Sequence, residues 1–329
     1  MAFEQPLSAE EMRRVLGAIM EGRTPPAEVR TFLTTLAGRG ETAEELATAV
    51  EVLRAHVVPL PLANPRDLCD TCGTGGDGQD TLNVSTLAAL VAAATGVRVV
   101  KHGNRAASSR CGSADLLEAL GVNLEASPDV VARCVEELGF GFCFAPRFHP
   151  AMKAVAPIRK ELKIRTLFNL IGPLANPAPL SYQLVGVAQA RLLRPVAEAL
   201  VRLGIRHGLV VRGADGLDEV TTTGPTDAVE VQGGLLTERR LEPEALGVPR
   251  ATLEELRGGD AEHNVRIARE VLAGHPGPAA DIVAANAGCA VYLAGLTRTI
   301  PNGVAQARKT LAAGRAAALL DRVKALSHA

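Results

Sequence analysis

The residues best suited to chemistry stand in a glycine-rich segment, Gly73-Thr-Gly-Gly-Asp-Gly78, which has four glycines and one carboxylate in six residues. Glycines allow positive φ and a close approach of the backbone to a ligand, so successive N–H groups can point at phosphate oxygens. Polar side chains follow at the expected start of a helix, where free N–H groups and the helix dipole favour anions. These are Thr81, Asn83, Ser85 and Thr86. The pattern predicts a phosphate site, and a tight turn without a ligand is the alternative interpretation.

Two common phosphate motifs do not account for this segment. Gly73, Gly75 and Gly78 satisfy G-x-G-x-x-G, but the dinucleotide fingerprint needs an acidic residue about 20 positions later. Residues 91–101 contain neither Asp nor Glu, and the Gly-Lys-Ser/Thr of a Walker loop is missing. Asp77 would repel a bare phosphate, so we expect its carboxylate to contact a ribose or to lie near a metal ion.

A basic segment, Lys101–Ser109, directly follows a predicted strand at residues 97–100. It combines two cations with His, Asn and small hydroxyl residues, and Cys111-Gly-Ser-Ala-Asp115 begins the next predicted helix. Ligands of open α/β sheets bind in the crevice at the carboxyl ends of the strands. We therefore expect this segment to contribute to the same ligand site, and a solvated charged loop is the alternative.

The elements that must position these residues fall into two groups. Three amphipathic helices are predicted before the proline-rich joint at residues 59–65, and capping boxes at Ser8/Glu11 and Thr42/Glu45 begin two of them. After the joint, strand-like runs alternate with helical patterns, which predicts a mostly parallel sheet flanked by helices. The predicted strands lie at 97–100, 140–144, 183–187 and 208–211, and the predicted helices at 87–95, 114–120, 128–138 and 192–203. The expected fold class is α/β, with a small N-terminal helical domain.

The bulk composition argues against several classes of function. With 35 basic and 36 acidic side chains, the net charge of −1 gives no sign of nucleic acid or an anionic membrane as a partner. No run reaches the roughly 20 apolar residues of a membrane span, and the N-terminus lacks a secretory pattern, so we expect a cytoplasmic protein. Cys69 and Cys72 form a C-x-x-C without a second pair, which favours buried packing over a redox or zinc site.

Several motifs, taken in order along the chain, resemble the anthranilate phosphoribosyltransferase family. They are the glycine loop at 73–78, N-x-S-T at 83–86, K-H-G-N-R at 101–105, G-S-A-D at 112–115, H-P-A-M at 149–152, Arg159, T-L-F-N-L-I-G-P-L-A-N-P at 166–177, G-L-D-E at 216–219 and N-A-G at 286–288. Such an ordered series is far more specific than any one motif. The departures are small and remove no expected ligand.

The resemblance implies an activity and an architecture. The expected reaction transfers the 5-phosphoribosyl group from phosphoribosyl pyrophosphate to the amine of anthranilate, a step of tryptophan biosynthesis, with Mg²⁺ as cofactor. The expected domains are a small helical domain at residues 1–65, with a returning segment near 165–180, and an α/β domain at 66–329. The family dimerises through its small domain, so a homodimer is expected.

The resemblance also implies roles for individual residues. Those expected to bind phosphoribosyl pyrophosphate are Gly73, Gly76, Asp77, Thr81, Asn83, Val84, Ser85, Thr86, Lys101, His102, Gly103, Asn104, Arg105, Ser108, Ser109 and Ser113. Gly73, Asn104 and Arg159 are expected at anthranilate, whose carboxylate suits a bidentate guanidinium. Ser85, Asp218 and Glu219 are expected to bind Mg²⁺. His102 and His149 are candidates for a catalytic role, with structural packing as the alternative.

Two other functions compete with this interpretation. A nucleoside phosphorylase of similar architecture would cleave an N-glycosidic bond, and Arg159 would then have no carboxylate to bind. A non-enzymatic relative that binds nucleic acid predicts a basic surface excess and the loss of the acidic pair, and this chain has neither.

Overall fold

The computed structural model describes residues 3–106 and 110–329, so the predicted ligands Ser108 and Ser109 lie outside the described residues. The chain begins with three helices, α1 (Ala9–Met20), α2 (Pro26–Arg39) and α3 (Ala43–Ala55). Both predicted capping boxes are confirmed at the starts of α1 and α3. In each, a hydroxyl oxygen accepts from a backbone N–H while a Glu carboxylate accepts from the cap N–H, which satisfies donors that a helix start leaves free.

Seven strands form one sheet in the order β3-β2-β1-β4-β5-β6-β7. Their bounds are β1 (Leu68–Gly73), β2 (Arg98–Gly103), β3 (Phe140–Phe144), β4 (Tyr182–Gly186), β5 (His207–Gly213), β6 (Thr226–Gln232) and β7 (Leu235–Leu241). The first five strands are parallel and the last two antiparallel, which confirms the predicted mostly parallel sheet. From β1 the chain adds β2 and β3 on one side and β4 on the other, so β1 and β4 border the switch point where ligands of such sheets bind.

Eleven further helices surround the sheet in the described ranges. They are α4 (Val84–Thr95), α5 (Ser113–Ala119), α6 (Pro128–Leu138), α7 (Ala145–Phe148), α8 (Ala156–Leu162), α9 (Leu167–Ile171), α10 (Leu193–Arg202), α11 (Ala261–Leu272), α12 (Pro278–Leu293), α13 (Ile300–Ala312) and α14 (Arg315–Ser327). Two predicted boundaries were wrong by a few residues. Helix α4 starts before residue 87, so Ser85 and Thr86 lie in its first turn, and β2 continues through Lys101 to Gly103.

Two hydrophobic cores lie on opposite faces of the sheet. One is formed by α4, α5 and the C-terminal helices, and the other by α6, α10 and the N-terminal helices. Phe32 and Leu46 of the helical region share the second core with Val185 and Val210 of the sheet. The helical region therefore has no core of its own, and the division at residue 65 stays a prediction.

The segment predicted to return to the helical region contains α9. Leu167, Leu170 and Leu174 of this segment are buried in the core that α1–α3 share with the sheet, and α9 contacts α2 and α3. The contact places the loop before α9 beside the carboxyl end of β1. The segment thus links the N-terminal helices to the edge of the sheet where ligands are expected.

The two cysteines of the C-x-x-C lie on β1, and both are buried. Residues three apart on a strand point to opposite faces, so these thiols cannot pair with each other. Burial raises the pKa of both thiols. Cys69 and Cys72 thus lie in the environment of packed structural side chains. Among the helices within 3–106 and 110–329, none combines the length and apolarity needed to cross a bilayer.

Candidate active site

The glycine loop leaves the carboxyl end of β1 and turns sharply. Gly75, Gly76 and Gly78 have φ values of +67°, +71° and +74°, the left-handed region that favours glycine. The Thr74 N–H donates to the Gly186 carbonyl at 2.9 Å, which ties the loop to the end of β4. The loop is therefore fixed at the switch point between β1 and β4.

The acidic pair lies directly against this loop. The Gly75 N–H donates to Asp218 Oδ2 at 2.6 Å, and the Ser85 N–H at the start of α4 donates to Glu219 Oε1 at 3.1 Å. A Cβ on Gly73 would lie 2.2 Å from Asp218 Oδ2, and one on Gly186 would lie 1.5 Å from the Asp218 carbonyl oxygen. Two neighbouring strands must therefore end in glycine for the acidic turn to occupy this position.

Helix α12 holds the acidic turn from behind. The Asn286 amide accepts from the Val220 N–H at 2.9 Å and donates to the Val220 carbonyl at 2.8 Å, and its side chain is fully buried. Such a paired bond fixes the backbone next to Glu219. The resemblance implies no role for the N-A-G motif at 286–288, and the structure gives its Asn a positioning contact.

Negative charge is crowded at the acidic turn. Burial, followed by the nearby Asp77 carboxylate, raises the pKa of Asp218. Burial, followed by the Asp218 carboxylate, raises the pKa of Glu219. Within the described residues no three His, Cys, Asp or Glu side chains form a complete metal site. Mg²⁺ in proteins typically takes one or two carboxylates and completes its shell with water and substrate phosphate, so these oxygen donors fit it.

Lys101 lies in β2 rather than in the loop that follows, which corrects the expected strand end. Its side chain is 2% exposed, and Nζ donates to the Thr71 carbonyl at 2.5 Å. The Thr71 hydroxyl in turn donates to the Ser85 carbonyl at 2.9 Å. The ammonium group is close enough to Glu219 to oppose the rise of its pKa. A buried cation thus lies within electrostatic reach of the acidic pair.

Several other predicted ligands are held by protein contacts. The Asn83 amide donates to the Cys111 carbonyl and accepts from Asn264, both at 2.9 Å. The Ser113 hydroxyl donates to the Asn104 carbonyl at 3.2 Å. Arg105 forms ion pairs with two acids of α5. Of the remaining predicted ligands, Val84 and Thr86 are buried in the first turn of α4.

Residues 235–262 contain no motif of the resemblance, yet the end of this segment contacts the chain just after the glycine loop. Thr81 forms an isolated antiparallel bridge with Arg257, and the Gly258 N–H donates to the Asp80 carbonyl at 2.8 Å. A Cβ on Gly258 would lie 2.6 Å from the Thr81 carbonyl oxygen. The sequence signal for this contact is only a Gly-Gly pair, which is too common to predict a partner.

A cavity of about 380 Å³ adjoins the other side of the glycine loop. It lies between the ends of β1 and β2 and the helices α3, α7, α8 and α9. Its wall combines apolar side chains such as Leu53, Met152 and Phe168 with predicted site residues. The predicted residues that line it are Gly73, His102, Gly103, Asn104, Arg105, His149 and Arg159.

Arg159 presents a cation to this cavity. Its guanidinium lies 5.5 Å from the centre of the Phe168 ring, and burial lowers its pKa. No acidic side chain of the described part of the chain forms an ion pair with it. A partly buried guanidinium without a carboxylate partner suits an anionic planar ligand, since its donors match a carboxylate in a fork.

His102 and His149 lie together at the cavity wall, with ring centres 4.9 Å apart. Burial lowers the pKa of His102 to about 3 and that of His149 to about 4. Both imidazoles are therefore neutral near pH 7. His102 Nδ1 lies 3.1 Å from the Gly172 carbonyl oxygen, which makes it the protonated nitrogen of the neutral ring.

Comparison with known proteins shows the same order of domains as the structure, a helical bundle followed by an α/β domain. Residues 3–57 match the model described as "Glycosyl transferase family, helical bundle domain", and residues 65–317 match "Glycosyl transferase family, a/b domain". An anthranilate phosphoribosyltransferase of Thermomicrobium roseum is 49% identical over 328 residues, which are 99% of this chain and 94% of the relative. One of Rubrobacter xylanophilus is 49% identical, with 99% and 95% covered.

The chain belongs to the anthranilate phosphoribosyltransferase family. The predicted membership is thereby confirmed. The family's solved structures include one from Thermus thermophilus, which matches with a TM-score of 0.95 and 50% identity over 100% of this chain and 98% of its own. One from Saccharomyces cerevisiae, described as in complex with PRPP and Mg, matches with a TM-score of 0.89 and 29% identity over 98% and 94%.

Proposed function

We propose that this chain transfers the 5-phosphoribosyl group from phosphoribosyl pyrophosphate to the amine of anthranilate, giving N-(5-phosphoribosyl)anthranilate and pyrophosphate. One observation carries the proposal. A glycine loop held by buried acids shares Gly73 with a cavity that contains a guanidinium without an acidic partner in the described residues. A sugar pyrophosphate on the loop and an aromatic carboxylate in the cavity need different kinds of binding site. Both can therefore lie next to Gly73.

Phosphoribosyl pyrophosphate is proposed to lie along the glycine loop and the start of α4. The N–H groups of Gly76, Asp77 and Gly78 have no acceptor in the described residues and can donate to pyrophosphate oxygens. The Asp77 carboxylate suits the ribose hydroxyls. The proposal also includes contacts to phosphoribosyl pyrophosphate from the other predicted ligands, among them Thr81, Ser85, Thr86, Lys101 and Ser113.

Mg²⁺ is the proposed cofactor, with Asp218 and Glu219 as its carboxylate ligands and Ser85 as a further oxygen donor. A bound divalent cation would offset the negative charge of the leaving pyrophosphate. The support in this chain is the pair of buried carboxylates whose mutual repulsion a cation would relieve. The buried Lys101 ammonium, which opposes the rise of the Glu219 pKa, would share this role.

Anthranilate is proposed to occupy the cavity with its carboxylate on Arg159. Its ring would pack against Phe168 and the neighbouring apolar side chains, and its amine would face Gly73 and Asn104. His102 Nε2 is buried and has no hydrogen-bond partner among residues 3–106 and 110–329, and we propose that it accepts a hydrogen bond from the amine. His149 would support the ring of His102 from behind.

The arylamine is already a neutral nucleophile near pH 7, so its nitrogen can attack the anomeric carbon while the bond to pyrophosphate breaks. The ammonium formed on that nitrogen then loses one proton to solvent, which leaves the neutral secondary amine of the product. The two neutral imidazoles are poor proton acceptors at this pH, because burial lowers the pKa of both. Most of the rate enhancement then comes from orienting the two substrates and from stabilising charge on the leaving group.

The assembly and the cellular site are also proposals. We propose a homodimer formed through the helical domain at residues 1–65, because α1 and α2 border a groove of about 360 Å³ lined by Phe3, Val15 and Ile19. Light scattering at micromolar concentration tests this, and a monomer would contradict it. We propose a cytoplasmic location, with small-molecule substrates and no nucleic-acid or membrane partner.

The activity is tested by mixing the purified chain with anthranilate, phosphoribosyl pyrophosphate and Mg²⁺ and following anthranilate fluorescence. We expect a fall that needs all three components and stops when EDTA removes the metal. No fall with a folded protein would contradict the transferase. Phosphorolysis of a nucleoside under the same conditions would then favour the phosphorylase alternative.

A further inference from the structure

Arg165, in the loop between α8 and α9, contacts the glycine loop from outside the cavity. Its Nη1 donates to the Gly76 carbonyl at 3.3 Å, and its Nη2 donates to the Thr74 carbonyl at 3.4 Å. The residue is half-buried, and neither the motifs nor the proposed ligand set gave it a role. One guanidinium thus joins two carbonyls of the loop to the segment that packs against the N-terminal helices.

These two contacts fix the direction of two peptide N–H groups. The peptide bonds of the glycine loop are trans, so the C=O and N–H of one peptide unit point in opposite directions. Because the Thr74 carbonyl faces Arg165, the Gly75 N–H must point away from it, and this N–H donates to Asp218 Oδ2 at 2.6 Å. By the same geometry the Gly76 carbonyl turns the Asp77 N–H away from Arg165.

We infer that Arg165 is a positioning residue that orients the glycine loop, so that the Asp77 N–H and its neighbours face the pyrophosphate of the substrate. The inference rests on the proposed function for the identity of that ligand. The Asp77 N–H has no acceptor in the described residues. The Gly75 N–H, which belongs to the other peptide unit held by Arg165, already donates to Asp218. Arg165 therefore orients an N–H donor that makes no hydrogen bond within the described residues and is left for a ligand.

The contact favours a glycine at position 76. A Cβ there would lie 2.9 Å from Arg165 Nη1, and the φ of +71° disfavours any other residue. The side chain must also be an arginine, because two carbonyls accept from two nitrogens of a rigid fork. A lysine would keep the charge but could not hold both carbonyls in one geometry.

The test compares Arg165→Lys and Arg165→Gln with the unaltered chain. For both variants we expect a rise of about tenfold in KM for phosphoribosyl pyrophosphate, the effect of losing roughly one charge-assisted hydrogen bond. We expect KM for anthranilate to change less than about twofold, because Arg165 does not line the cavity. Calorimetry with Mg²⁺ and inorganic pyrophosphate should show about tenfold weaker binding. The matched control is Arg191→Gln, which removes an exposed cation nearby and should leave both constants unchanged.

Three results would overturn the inference. Arg165→Lys with unchanged pyrophosphate affinity would show that charge alone suffices. An equal rise in KM for both substrates, together with a lower melting temperature, would show a merely structural role. Unchanged constants in both variants would show no role. If the unaltered chain has no transferase activity, the proposed function fails, but pyrophosphate calorimetry still tests the orientation of the loop.

Discussion

The two halves of the site bind by opposite means. On the glycine-loop side the donors are backbone N–H groups, and buried acids that repel one another outnumber the buried Lys101 beside them. On the cavity side apolar side chains share the wall with neutral imidazoles and amides, and the partly buried guanidinium of Arg159 has no acidic partner in the described chain. A divalent cation would offset the repulsion in the first half, and an anion would pair with the guanidinium of the second. A site of this kind takes two ligands that cannot exchange places.

The comparison predicts its largest effect at the acidic pair. Replacing Asp218 with Asn and Glu219 with Gln should lower kcat/KM by at least about a thousandfold, because several kcal/mol of charge stabilisation would be lost with the metal. Steady-state fluorescence assays at varied Mg²⁺ measure this. The control Asp227→Asn removes an exposed acid of β6 and should have no effect. Activity within tenfold of the unaltered chain would contradict the assignment.

The cavity half should respond in KM instead. Arg159→Ala should raise KM for anthranilate by about 10- to 100-fold, since charged hydrogen bonds contribute about 1.5–3 kcal/mol. KM for phosphoribosyl pyrophosphate should stay nearly constant. Lys160→Ala, an exposed neighbour on α8, serves as the control. A loss confined to the sugar pyrophosphate would reverse the assignment of the two halves.

The boundary between the halves can be tested through Gly186. A methyl group there would lie 1.5 Å from the Asp218 carbonyl oxygen, so Gly186→Ala must displace the acidic turn. We expect a loss of about 1–3 kcal/mol in unfolding free energy and about a tenfold lower kcat/KM. Chemical denaturation and kinetics measure the two effects. Gly208→Ala on β5 meets a leucine methyl at 3.1 Å and should cost less, and equal costs would count against the clash.

The smallest expected effect concerns pH. His102 and His149 have folded pKa values of about 3 and about 4, below the usual 6.5, because both are buried. Below pH 6.5 the unfolded chain binds protons that the folded chain does not, so stability should fall as pH drops from 6.5 towards 4. The slope should be up to about 1.4 kcal/mol per pH unit for each histidine.

Denaturation of His149→Asn at several pH values measures that slope. The unfolding free energy of this variant should fall less steeply as pH decreases. The variant His275→Asn, which changes an exposed histidine, should keep the full slope. An identical slope in all three proteins would mean that the cavity histidines do not resist protonation. The cavity would then hold positive charge on its imidazoles as well as on Arg159, and the contrast between the halves would be sharper.

Much of the fold was predictable because its signals are local. The capping boxes, the apolar stripes and the alternation of strands and helices each act over a few residues, and the structure confirms them. The boundaries of α4 and β2 were not predictable to the residue. Lys101 was expected in a loop, because a charged side chain rarely continues a buried strand unless a specific partner accepts it.

By itself, the sequence determined the family, the fold class and the residues able to do chemistry, since ordered motifs and local propensities depend only on neighbours along the chain. The tertiary structure alone decided which of those residues meet. Gly73 and Gly186 are far apart in sequence, yet both must lack a side chain because Asp218 packs on two adjacent strand ends. Asn286 and Arg165 acquired their contacts in the same way, because such proximity is set by strand order and packing, which no local pattern records.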